Sequence, residues 1–147
     1  MVADADAFDF PFSPAVLFYV RTRRNGLVAN REHGCMFGFQ KLDVYRCSIE
    51  LLAHITPLSE NAPRGYAALG DQLRRASASI PLNIAEGSGK FDKDARRFYA
   101  IARGSALECA AIVDVFKALG FLQSDVYDKL GPLLDRIVAM LTKMIRE

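Results

Sequence analysis

From Gln40 onward, apolar residues recur at steps of three and four, the spacing that lines one face of an α-helix, in four segments separated by breaker-rich connections. The first segment spans about Gln40–Thr56 and ends before Pro57. The second runs from about Gly65 to Glu86 with Leu69, Leu73, Ala76, Ile80 and Ile84 on one face, and Gly87 and Gly89 follow as residues tolerant of the left-handed conformation that ends helices. The third starts near Asp92, an expected N-cap with Asp94 in the first turn, and continues to Leu119 with Gly120 as its stop. Its stripe is Phe98, Ile101, Ala102, Ser105, Cys109, Ile112, Val113 and Phe116. The fourth begins at Ser124, a second expected N-cap, and reaches the C-terminus. No strand alternation intervenes, so short links predict an all-α, up-and-down, antiparallel four-helix bundle. Pro81 and Pro132 fall inside helices, where each removes a backbone hydrogen bond and is expected to kink its helix.

Two segments are more apolar than a lone bundle requires. In the first, Leu42, Tyr45, Ile49 and Leu52 make one stripe and Val44, Leu51 and Ile55 another; in the fourth, apolar residues from Val126 to Ile145 exceed a stripe of about 100°. Self-association is the simplest account. The competing account is that residues 1–35 cover one of these stripes. Residues 1–36 show no sustained period and are expected to form an irregular N-terminal extension to a bundle domain at 37–147. Met36 is a candidate native start; a real but irregular arm is the alternative.

Asn83 shares a face with the apolar residues of the second helix, and Arg75, Ser79 and Glu86 border it; Arg97 and Glu108 flank the stripe of the third. Polar groups so placed cost free energy unless a partner satisfies them. Gly104, Ser105 and Ala106 are small enough to admit a neighbouring helix. A network between the second and third helices is expected, built from Arg75, Asn83, Glu86, Arg97, Ser105 and Glu108, fixing register more than adding stability.

At 147 residues, half hydrophobic and a quarter charged, the chain suits one soluble domain, and its apolar runs are too short to cross a membrane. The start MVADADAF is acidic, and Ala15–Val20 is too short for a signal core, which places the protein in the cytoplasm. Cys35, Cys47 and Cys109 are scattered and form no CxxC pair, arguing against disulfides and structural zinc. His33 and Cys35 would supply two metal ligands, but nothing nearby completes a set, so no metal and no cofactor is expected. There is no GxSxG, HExxH or P-loop, and Gly87-Ser88-Gly89 reads as a helix stop. Glu86 and Glu108 are a conceivable carboxylate pair, for which ion pairing with Arg75 or Arg97 is the plainer reading.

Charge changes this picture. Between Arg74 and Arg103, seven cations (Arg74, Arg75, Lys90, Lys93, Arg96, Arg97 and Arg103) meet three acids (Glu86, Asp92 and Asp94), a local charge of +4 in a chain of formal net charge +2. Such a cluster attracts phosphate, and Ser88 and Phe91 would add a hydrogen bond and a stacking face. Arg74, Lys90, Lys93, Arg96 and Arg103 are the candidate nucleic-acid contacts. A solvated charged face is the competing interpretation.

The runs FQKLDVYRCSIELLAHI, QLRRASASIPLNIAEGSGK, RRFYAIARGSALECAAIVD and LxxLLDRIVAMLTKMI resemble the four-helix-bundle family of proteins encoded in intervening sequences of bacterial 23S ribosomal RNA genes. The resemblance covers about Phe37–Ile145. It is carried by NIAEGSGK at Asn83–Lys90 followed, in order, by RFYxIARGSxxE at Arg97–Glu108. That family is similar to the accessory protein of diversity-generating retroelements, a pentameric barrel to which binding of nucleic acid and of a reverse transcriptase through a basic surface is attributed. The resemblance implies a cytosolic, non-enzymatic protomer that forms a ring-like homopentamer and binds RNA or another nucleic acid. An oligomeric scaffold binding a protein partner such as a reverse transcriptase is the alternative. Residues 1–35 depart from the family pattern.

Overall fold

The computed structural model describes residues 37–147. The expectations for the extension 1–36, for Met36 as a start and for His33 and Cys35 lie outside the described residues. A short 3₁₀ turn (Gly38–Lys41) leads into α1 (Asp43–Glu60), α2 (Ala67–Ser88), α3 (Asp92–Ala118) and α4 (Ser124–Arg146). Each helix packs on the next in sequence, and α1 meets α4 to close the bundle. The start of α1, the end of α2, the start of α3 and the end of α4 therefore share one end of the molecule.

The helical spacing buries what it predicts. Leu73, Ala76, Ile80 and Ile84 of α2 face Val44, Leu51 and Ile55 of α1, Ala102, Ala106, Cys109, Ile112, Val113 and Phe116 of α3, and Leu130, Leu134, Ile137 and Leu141 of α4 in one core. Leu69 is half-buried at its edge, and Ile101, placed on the α3 stripe by spacing, is 43% exposed. The second apolar stripes of α1 and α4 are covered in part. Tyr45, Leu133, Val138 and Met144 pack against the core, and none of the exposed large hydrophobics among the described residues belongs to α1 or α4.

Several boundaries differ from expectation for local reasons. α1 passes through Pro57 to Glu60, since the proline removes one hydrogen bond while Ile55 and Leu58 still pack inward, and Asn61 closes the helix by donating from Nδ2 to the Pro57 carbonyl at 2.8 Å. Helix α2 starts at Ala67 rather than Gly65, which sits at φ +88 outside it. Gly87 and Gly89 are not left-handed; Gly87 lies within α2, and Gly89 has φ −93. A side chain at Gly87 would put its Cβ 2.7 Å from the Tyr99 ring, so this glycine permits close approach of α3. The N-caps of α3 and α4 are Phe91 and Gln123, one residue before the expected Asp92 and Ser124, and neither makes a side-chain cap. Gly120, at φ +74, stops α3 as expected. Helix assignment is continuous through Pro81 and Pro132.

Candidate nucleic-acid interface

The antiparallel fold divides the seven cations of the Arg74–Arg103 segment into three groups. Arg74 and Arg75 lie in the first half of α2, separated from Lys90 by more than about 20 Å at a rise of 1.5 Å per residue. Arg74 pairs with Asp71 at 3.0 Å, and Arg75 donates to Gln72 Oε1. Arg103 is half-buried between α3 and α4, where its Nε donates to Thr142 Oγ1 at 2.8 Å. It braces two helices instead of facing outward with the others.

The remaining four surround the α2–α3 turn. Lys90 stands 4.0 Å from the Glu86 carboxylate and 6.0 Å from the centre of the Phe98 ring. Lys93 and Arg97 are exposed and Arg96 half-exposed, and none of the three has a hydrogen-bond or ion-pair partner among the described residues. On α3 these residues recur at i, i+3 and i+4, which puts them on one side of the helix.

The same end gathers cations that lie far away in sequence. A groove there is lined by Phe39 and Leu42, before α1, by Ser88 of α2, Tyr99 of α3 and Met144 of α4. Lys41 and Arg46 at the start of α1, and Lys143 and Arg146 at the end of α4, therefore join Lys90, Lys93, Arg96 and Arg97. These eight cations face five acids, Asp43, Glu86, Asp92, Asp94 and Glu147. At the opposite end Arg64, Arg74, Arg75, Lys117 and Lys129 are balanced by Glu60, Asp71, Asp114, Asp125 and Asp128. The bundle is electrically polar, and its positive end carries Lys93, Arg96 and Arg97 without a partner among the described residues. Lys41, Lys143 and Arg146 were not singled out by sequence windows; up-and-down topology, itself read from the sequence, is the signal that assigns them.

Between α2 and α3 the polar groups form two separate hydrogen-bonded sets. Arg75 donates to Gln72, whose Nε2 donates to Glu108 Oε1. Ser105 donates to Ser79 Oγ at 2.9 Å, and Asn83 Nδ2 donates to the same oxygen at 3.0 Å and to the Ser79 carbonyl at 2.8 Å. Arg75 and Glu108 thus meet through Gln72, and Asn83 and Ser105 through Ser79. Glu86 and Arg97 are exposed and stand outside both sets. The linking residues Gln72 and Ser79 are seven apart, two turns of one face. Gly104 does not serve the α2 contact, because a Cβ there would meet nothing within 4 Å.

Glu86 lies level with Tyr99 beside Gly87, so Glu108 is about 13 Å further along the bundle and the two carboxylates cannot share a proton. Burial pushes the Cys109 thiol up to about 12, with the Glu108 charge adding to the effect, which leaves it un-ionised and unreactive. No cluster of three or more His, Cys, Asp or Glu fit to hold a metal ion occurs among the described residues. No helix among them is long and apolar enough to cross a membrane.

Comparison with known families matches residues 40–143 to the family described as 23S rRNA-intervening sequence protein. The match includes nearly all of the four helices. Comparison with curated proteins gives no match.

Proposed function

The chain belongs to the 23S rRNA-intervening sequence protein family, and we propose that it is a non-enzymatic, self-associating bundle that holds RNA or another nucleic acid on its positive end. The observation that carries this is the set Lys93, Arg96 and Arg97, three cations on one side of α3 without an internal partner. Surface cations left unpaired keep their full attraction for phosphate, whereas Arg74 and Arg103 are already engaged. The family's description supports ribosomal RNA as the first polyanion to try.

The test is an anisotropy titration against a structured ribosomal RNA fragment at two salt concentrations. Three neutralised phosphates give a salt slope of about −2.7, so a fourfold rise in salt weakens binding by roughly 40-fold. Lys93→Glu combined with Arg97→Glu is expected to abolish binding with the fold intact, and Arg74→Glu to leave it within about twofold. Unchanged affinity in the double variant removes this end of the bundle from consideration.

A second observation supports self-association. On α3, Ala100, Gly104, Leu107, Ala111 and Val115 recur on one face, with Leu107 44% and Val115 41% exposed and Ile101 beside them. A charge-free helical stripe of this kind suits a second copy of the chain, and the family resemblance sets the expected copy number at five. Mass in solution by light scattering tests it. A monomer with intact RNA affinity would leave the nucleic-acid reading standing alone, and an oligomer without RNA affinity would favour a scaffold for a protein partner.

A further inference from the structure

Phe91 is 86% exposed, more than any other large hydrophobic among the described residues, and it touches no other ring. A phenylalanine left in water at a helix start serves neither core nor cap, since Phe91 makes no side-chain cap for α3. Its backbone is nevertheless held firmly. The Phe91 carbonyl accepts from Asp94 N at 3.2 Å and Ala95 N at 3.4 Å, and the preceding turn is tied by Gly89 N to Glu86 O at 3.1 Å and Lys90 N to Gly87 O at 3.0 Å. The next residue, Asp92, sits at φ +49, a conformation that non-glycine residues seldom adopt and that fixes the direction in which the chain leaves the turn. The ring is thus an exposed apolar surface on an ordered base.

Its surroundings indicate what would cover it. Lys90, Asp92, Lys93 and Asp94, the residues on either side in sequence, are all exposed and charged. Around the turn four cations, Lys90, Lys93, Arg96 and Arg97, meet three acids, Glu86, Asp92 and Asp94, and an exposed aromatic ring beside an excess of cations is an arrangement that binds unpaired bases, stacking on one while the cations take the flanking phosphates. A ring on a convex turn cannot reach the base faces inside a duplex, where they are already stacked.

We propose that the α2–α3 turn binds single-stranded nucleic acid, with Phe91 stacking against an unpaired base and Lys93, Arg96 and Arg97 holding the adjoining phosphates. This rests on the polyanion function above and narrows it to unpaired strands. The chain contains no tryptophan, so Phe91→Trp introduces one reporter at the ring itself. Oligouridylate is expected to bind that variant as well as it binds the wild type and to quench its emission. Inorganic polyphosphate, which has charge and no bases, is expected to bind without quenching. Phe91→Ala should weaken oligouridylate by about 5- to 140-fold, the range for one aromatic–base stack, and leave polyphosphate affinity unchanged.

Three outcomes overturn the inference: equal affinity of Phe91→Ala and wild type for oligouridylate, unmoved emission from Phe91→Trp on binding, or equal quenching by duplex RNA. If Lys93→Glu still weakens binding in any of those cases, the polyanion function stands and only the stacking role falls. Failure of the wild type to bind either anion at low salt removes both.

Discussion

Arg103→Ala distinguishes a cation that braces the fold from cations that face solvent. The bond from Arg103 Nε to Thr142 Oγ1 joins α3 to α4 at 2.8 Å in a half-buried setting. Hydrogen bonds to charged groups contribute about 1.5–3 kcal/mol. The lower part of that range applies, because the Thr142 hydroxyl still donates to the Val138 carbonyl at 2.7 Å and no orphaned group remains. A loss of about 1.5 kcal/mol, at a urea dependence of roughly 1–3 kcal/mol per molar, lowers the unfolding midpoint by about 0.5–1.5 M. Thr142→Val should cost a similar amount, with the double variant showing a coupling of about 1 kcal/mol. Affinity for RNA should barely change in Arg103→Ala. Arg97→Ala is expected to behave in the opposite way, keeping the wild-type midpoint while losing affinity and flattening the salt slope. An Arg103→Ala protein with an unshifted midpoint and a flattened salt slope would refute the division between brace and contact.

Two further outcomes follow from packing and protonation. Gly70→Ala places a Cβ 2.7 Å from the Ser59 carbonyl oxygen and 2.7 Å from Ala62 Cβ, so overpacking of about 1–3 kcal/mol should outweigh the roughly 1 kcal/mol gained in helix propensity. Gly104→Ala, with open space around it in the protomer, should show only the gain; urea midpoints at low protein concentration compare the two, and a more stable Gly70→Ala protein would mean that α1 and α2 lie further apart. His54 is half-buried on α1, and burial holds its pKa below the ordinary 6.5, with Lys129 acting in the same direction and Glu50 opposing. The unfolded chain takes up the proton first, so this stabilisation is complete above 6.5 and is lost as pH falls through the lower folded value. His54→Gln should reduce the fall in urea midpoint between about pH 7.5 and about pH 5.5, and an unaltered pH profile would exclude His54 as its source.

Periodicity carried the fold because burial in a bundle repeats with the helix turn: Leu73, Ala76, Ile80 and Ile84 are all buried where their spacing puts them. It failed where one residue has two competing tendencies. Pro57 breaks a hydrogen bond yet does not end α1, because the packing of Ile55 and Leu58 continues past it. Asp92 and Ser124 have the composition of N-caps, but the chain enters each helix one residue earlier, and Ser124 instead accepts a hydrogen bond from Lys117 Nζ at 2.6 Å. Within the polar seam, attention to charge selected Glu86 and Arg97 and passed over Gln72, an uncharged residue that links Arg75 to Glu108. A neutral side chain can occupy a half-buried seam at lower desolvation cost, which is why the connectors there are an amide and hydroxyls.

The candidate site was legible only once topology was applied to charge. A sequence window joins Arg74 to Lys90 because they are sixteen residues apart, yet along a helix that separation is two-thirds of the length of α2. The same window separates Lys41 from Arg146, which antiparallel packing brings to one end of the bundle. Helix ends are also where a cation is least committed to the core. Further inside, Arg103 finds Thr142 and Arg75 finds Gln72, whereas at the α2–α3 turn Lys93, Arg96 and Arg97 have only solvent to face. The fold therefore separates Arg103 and Arg75, which are hydrogen-bonded to neighbouring side chains, from Lys93, Arg96 and Arg97, which are not. These three follow, in the first turns of α3, the phenylalanine that is the most exposed large hydrophobic among the described residues.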